Sequence, residues 1–195
     1  MTGIRNPKED LIGLDLVYNG AAFKDQHGVK ETGQEHPFTF SRYDKAIEWD
    51  VKWYTFVAGN HPLGKYPEFK NLKFQTPHHQ EKTYDLAYTW WRSPGGDVHP
   101  DSFGTFAKAE ASFQKGKYLV QITSDDGLRF YVDGMMVIDN WNIHVPETDS
   151  VTLELEGTHT LEIEHFEGGG FSTLDFRIEP VITKRSTKQV KGKKK

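Results

Sequence analysis

The chain has 195 residues, with 24 Lys+Arg, 28 Asp+Glu, nine His and no Cys, and a formal net charge of −4. Its length suits one domain with a real core, and a content of 36% hydrophobic and 13% aromatic residues excludes wholesale disorder. The lack of Cys excludes disulfides, thiolate nucleophiles and thiolate metal sites.

Charge is unevenly spread. Residues 183–195 hold seven basic residues and no acid, which leaves 17 basic against 28 acidic residues, or −11, for the rest. A body this acidic is a poor phosphate-binding surface, so no nucleic-acid partner is expected. The tail reads as a disordered terminus or linker, giving a single domain over 1–182 and a basic tail over 183–195. No run approaches the roughly 18 apolar residues of a membrane helix, so membrane insertion is not expected. The first residues lack the apolar segment of a signal peptide, and the chain is read as an excised part of a larger protein.

In chain order, residues 14–18, 38–40 and 47–53 are predicted strands. Turn-rich residues 59–64 follow, and then residues 76–82, read as an exposed loop. Strands are predicted over 85–91 and 103–109, separated by a second turn-rich stretch at 93–97. No amphipathic helix of useful length is evident. Residues 118–123 and 128–132 read as strands, and Asp133-Gly134 leads into 135–138 as a hairpin, because Gly accepts the positive φ the turn requires. Residues 151–156 and 160–164 alternate as two arms about Gly157-Thr158-His159. Leu153, Leu155, Leu161 and Ile163 are expected to face the core, and Glu154, Glu156, Glu162 and Glu164 water. Residues 174–178 form a last strand, which Pro180 helps to end. About ten short antiparallel strands with long loops predict an all-β sandwich or barrel.

Two segments stand out chemically. Asp125-Asp126-Gly127 sits at a strand end. Adjacent side chains on an ordinary strand point to opposite faces, so two neighbouring Asp grip one cation only over unusual backbone. The alternative is a polar turn whose carboxylates bond backbone amides. Glu167-Gly168-Gly169-Gly170-Phe171 offers a carboxylate and exposed backbone carbonyls, or else a flexible hairpin turn. The nine His lack the spacing of a zinc helix. No nucleophile elbow, phosphate loop or singled-out acid pair indicates an enzyme.

Residues 116–134, with Val137-Ile138-Asp139-Asn140-Trp141, resemble the protective-antigen-type domain family, which occurs in an anthrax toxin component, flocculins, adhesins and glycosidase insertions. Residues 155–167 resemble that family's stretch of Gly-x-His, strand, aromatic and Glu. The resemblance implies a β-sandwich and a carbohydrate-binding module. It also implies calcium as cofactor, an extracellular or cell-surface setting, and a larger enzyme or adhesin directed to a glycan or polysaccharide. Calcium would be held by Asp125, Asp126, Glu167, Gly168 and Gly169, with the Asp125–Asp126 peptide cis. Sugar contacts would come from Asp125, Asp126, Trp141, His144, Gly170 and Phe171, with Trp141 equally readable as a core anchor. The loop lacks the Asn and Asp that flocculins carry there. The alternative is a structural or protein-interaction module without sugar binding.

Overall fold

A computed structural model describes residues 15–17, 37–39 and 47–181, and the basic tail lies outside the described residues. Among them the chain forms β1 (Asp15–Val17), β2 (Pro37–Thr39), β3 (Trp49–Thr55), a one-turn helix α1 (Tyr66–Asn71), β4 (His79–Thr83), β5 (Ala87–Trp90), β6 (Phe103–Asp125), β7 (Leu128–Val132), β8 (Met135–Asn140), β9 (Glu147–Glu167) and β10 (Ser172–Pro180). The short β1 and β2 pair antiparallel with each other. The remaining eight strands form one open antiparallel sheet, which bears out the all-β expectation.

The sheet is organised by β6 and β9, which run antiparallel from Phe103↔Glu167 to Ser124↔Glu147. On its other edge, the first half of β6 pairs with β3 and the second half with β10. The register shifts between Phe113 and Gly116, where the ribbon changes partners. Such an irregularity lets a strand bend. The two halves pack face to face, as ring contacts across them show: Trp49 meets Phe176 at 4.9 Å and Phe130 meets Phe176 at 5.7 Å. Alternation supplies this core. Trp49, Val51 and Trp53 from β3, Leu128, Phe130 and Val132 from β7, and Leu161 and Ile163 from β9 all turn inward.

The opposite face of the first half-sheet is also covered. Phe56, Phe69 and Phe166 form a second buried cluster, with Tyr66, Leu72, Phe106 and Trp141 packed against it. Phe69 comes from α1 and Phe166 from β9, so the stretch around α1 forms a cap on this face. The end of β9 is therefore buried on both faces, from Ile163 to Glu167.

Three expectations need correction. Residues 79–83 pair with β3 as an edge strand rather than forming a loop; their polar sequence hides it because the strand is mostly exposed. Gly157-Thr158-His159 is not a turn between two arms. β9 runs through it, with Gly157 at φ 83°, because β6 provides hydrogen-bond partners on either side. Glu164 does not face water: it is 6% exposed beneath the cap, where its Oε2 accepts hydrogen bonds from Tyr66 (2.6 Å) and Tyr131 (3.0 Å). A short helix, α1, is present with Pro in its first turn, too brief to show a periodicity. The Asp133-Gly134 hairpin is as expected, with φ of 51° and 76°.

Removing the ring at the centre of the cap tests its contribution. Phe69→Ala is expected to lower stability by about 3–5 kcal/mol in guanidinium unfolding. A loss under about 1 kcal/mol would show that the cap contributes little to the fold.

Candidate metal and ligand site

β6 ends at Asp125 and β9 at Glu167, and because Phe103 and Ser124 of β6 pair with opposite ends of β9, these two strand ends lie in different halves of the ribbon. They meet because the two halves close on each other. β10 begins at Ser172 beside Asp125, with Thr173 opposite it. The Asp125–Asp126 peptide is cis. Asp125, Asp126 and Glu167 are all buried, and each places a carboxylate oxygen within 4.8 Å of the others.

Several contacts fix this arrangement. Gly127 leaves no room for a side chain, since a Cβ there would lie 2.1 Å from Phe166 Cε1. Its carbonyl accepts the Phe166 N–H at 3.0 Å, which ties the acidic turn to β9. The carbonyl of Asp125 accepts from Ser172 Oγ at 2.8 Å and from His165 Nε2 at 2.9 Å. His165 therefore carries its proton on Nε2, and Nδ1 accepts from Thr105 Oγ1 at 3.1 Å. Burial pushes the His165 pKa down to about 4, so the ring is neutral at physiological pH. It acts as a cross-brace between β6 and β9.

The carboxylates are satisfied unevenly. Asp126 Oδ1 accepts the His144 N–H at 3.1 Å, and Oδ2 accepts the Gly168 N–H at 2.9 Å. Glu167 Oε1 accepts the Gly169 N–H at 2.6 Å. Glu167 Oε2 is buried with no hydrogen-bond partner. Burial, followed by the neighbouring Asp126 charge, raises the Asp125 pKa to about 6. Burial raises Glu167 to about 7, with smaller upward contributions from Asp126 and Asp125. No Lys or Arg forms an ion pair with any of the three among the described residues. An all-oxygen donor set with an orphaned buried carboxylate oxygen fits a hard divalent cation such as calcium.

The glycine loop projects from this cluster. Gly168, Gly169 and Gly170 are exposed, and the last two have φ of 146° and 106°, which side chains rarely adopt. The Gly170 N–H donates to Asp101 Oδ1 at 3.2 Å, pinning the loop to the segment before β6. Phe171 is half-buried against Trp91, with ring centroids 4.8 Å apart, and Trp91 is 78% exposed. His144 borders the cluster. Its Nδ1 donates to the Val145 carbonyl at 2.9 Å, which leaves Nε2 as a buried acceptor with no partner among the described residues.

Of the residues singled out from the sequence, the structure thus gathers Asp125, Asp126, Glu167 and Gly168–Gly170, with His144 hydrogen-bonded to Asp126 and Phe171 beside the loop. Trp141 lies in the second hydrophobic cluster. It packs on Phe166 at 4.8 Å and Phe69 at 5.2 Å, and its Nε1 donates to the Pro62 carbonyl at 3.3 Å, the geometry of a core anchor. Sequence reasoning missed Trp91, His165, Asp101 and His61, whose Nε2 would lie 3.1 Å from a Cβ on Gly168. Trp91 had a signal: in the strand predicted over 85–91, Trp90 and Trp91 are neighbours, so one ring must turn out when the other turns in.

Residues 59–191 match the profile of the PA14 domain. Among solved structures, the chain is similar to the PA14 sugar-binding domain from an RTX adhesin, at 17% identity and a TM-score of 0.54, covering 70% of this chain and 91% of that one. It is also similar to an anti-sigma factor domain-containing protein, at 14% identity and a TM-score of 0.56, covering 69% of this chain and 43% of that one. A β-glucosidase from Kluyveromyces marxianus, in complex with glucose, is similar at 12% identity and a TM-score of 0.52, covering 69% of this chain and 16% of that one. The chain therefore spans under half the length of the last two. Comparison with curated proteins returns no match.

The raised pKa values set a pH signature for the cation-free protein. A carboxyl whose folded pKa lies above its unfolded value stabilises the fold fully below the unfolded pKa, near 4, and that contribution is lost as pH rises through the folded pKa. With chelator present, the melting temperature is expected to fall between pH 5 and pH 7.5, through the 6 to 7 window of Asp125 and Glu167. Glu167→Gln should raise it at pH 7.5 and flatten the slope. A variant that melts no higher than the parent at pH 7.5 would show that the buried carboxylate ionises without penalty.

Proposed function

Because the chain belongs to the PA14 domain family, whose profile covers 59–191, we propose that it is a calcium-dependent carbohydrate-binding module. One observation carries this reading: three buried carboxylates converge beside an exposed glycine loop, and one of their oxygens has no partner. Asp125, Asp126 and Glu167 hold the cation. Calcium with open coordination positions accepts the vicinal hydroxyls of a sugar ring, a pair that water copies poorly. The chain's own residues do the rest. The backbone N–H groups of His144 and Gly168 fix the Asp126 carboxylate. His165 and Ser172 hold the Asp125 carbonyl from behind. Trp91 and Phe171 present an aromatic surface beside the loop for the apolar face of the ring.

Selectivity then lies in the loop. Gly168 to Gly170 contribute no side chains, so the sugar is sorted by backbone groups, by His144 and by the Trp91 edge. The sugar-binding RTX adhesin domain supports the glycan reading. The β-glucosidase, of which the chain covers 16%, supports a module that forms part of a larger protein. Both fit an extracellular or cell-surface role in directing a partner domain to a polysaccharide rather than catalysis by this chain.

Melting curves and a glycan array with and without calcium test the reading. Calcium at about a hundred times Kd is expected to add about 2.7 kcal/mol of stability, and Asp126→Ala to abolish that gain and glycan capture together. Trp91→Ala should weaken glycan binding about tenfold, or about 1.4 kcal/mol, while leaving the calcium shift intact. No calcium shift and no glycan capture would favour a structural or protein-interaction module.

A further inference from the structure

A second groove opens on the opposite face of the first half-sheet, where the α1 cap stops short of covering it. It holds about 450 Å³, within the roughly 300–1,000 Å³ of small-ligand sites. Lys70, Lys73 and Phe74 from the cap form one wall, and Phe106, Tyr131 and Glu164 lie on the sheet side. These sheet residues alternate with core residues, so the groove is separated from the carboxylate cluster by the sheet itself.

The lining has a specific chemistry. Four Lys reach the groove although the chain outside its tail carries −11. Lys52 is paired with Asp50 at 3.0 Å, and Lys108 with Glu162 at 2.9 Å. Lys70 and Lys73 have no carboxylate within 4.0 Å among the described residues; they lie over the rings of Tyr66 and Phe74 instead. Two uncompensated cations on one wall call for an anionic ligand. Phe74 is 78% exposed, with the Lys73 ammonium 5.6 Å from its ring centroid, so a cation and an exposed aromatic ring stand side by side. At the other side, Tyr66 and Tyr131 both donate to Glu164 Oε2, and burial first, then the Tyr66 and Glu164 neighbours, pushes the Tyr131 pKa up. Tyr131 thus stays neutral; its oxygen also lies 3.1 Å from the Tyr66 hydroxyl, and the lone pair that remains is an acceptor for a ligand hydroxyl.

We infer that this groove is a second ligand site, independent of the calcium site, that takes an acidic saccharide: a ring bearing a carboxylate and several hydroxyls. Lys70 and Lys73 pair with the carboxylate, Phe74 and Phe106 meet the C–H face of the ring, and Tyr131 and Glu164 accept from its hydroxyls. A neutral sugar leaves the two lysines uncompensated, and a simple anion leaves the aromatic wall unused.

The test is calorimetry on the full chain with trigalacturonate at low salt in excess chelator, which silences the calcium site. Binding is expected to persist without calcium, to weaken several-fold at 0.5 M salt, and to exceed that of neutral galactotriose at least tenfold. The exposed double substitution Lys70→Glu/Lys73→Glu should lower affinity at least tenfold while the far-UV circular dichroism stays that of the parent, and Phe74→Ala at least threefold. Amide shifts in an NMR titration should map to residues 70–74 and Tyr131. No binding in chelator, equal binding of the neutral trimer, indifference to charge reversal, or shifts confined to residues 125–126 and 167–170 would each overturn the assignment.

Discussion

Three carboxylates held out of water within 4.8 Å of one another, with no Lys or Arg paired to any of them among the described residues, impose a desolvation cost on the fold. Each answer available inside the chain is partial. Backbone N–H groups from residues 144, 168 and 169 take up three carboxylate oxygens. Protonation relieves part of the rest, which is why Asp125 and Glu167 hold their protons well above the ordinary range. The divalent cation we propose would relieve all three groups together, and the Glu167 Oε2 that has no hydrogen-bond partner is the oxygen it would serve first.

That cluster depends on how β6 and β9 are joined. Each is over twenty residues long, and the ribbon they form has its bend at the Phe113–Gly116 irregularity. Folding the ribbon back brings the end of β6 to the end of β9. Neutral His165 locks the junction, because its two nitrogens bond opposite segments, Thr105 early in β6 and Asp125 at its end. A charged imidazole there would meet a buried, apolar setting, which is what drives its pKa down.

The same strand makes the two faces of the sheet into distinct environments. One face of β9 carries Leu161, Ile163, His165 and Glu167 into the main core and the acidic cluster. The other carries Glu162, Glu164 and Phe166 toward the α1 cap and the lysine-lined groove. Trp141 belongs to the cap side, where Arg129 lies over its ring at 4.9 Å, so its aromatic surface is already occupied. The exposed aromatic surface near the glycine loop is Trp91 instead.

Local chemistry was enough to mark several features in the sequence. Asp133-Gly134 demanded a hairpin because few residues accept its φ angles, alternation in 128–132 and 160–164 marked strands, and the two acidic and glycine-rich segments stood out as candidate ligands for one ion. What the sequence left open depended on partners distant in the chain. Glu164 alternates as a water-facing residue should, yet a helix nearly a hundred positions away covers it. Gly157 looks like a turn, yet β9 continues through it, with Gly157 paired to Phe113 of β6 at the register shift. β4 has no apolar pattern because its hydrogen bonds, not its side chains, place it in the sheet. The meeting of Asp125 with Glu167 was likewise decided by tertiary structure. Side-chain pattern records which face of a strand is buried, whereas the bend that closes one ribbon on itself is set by long-range pairing, which no local pattern encodes.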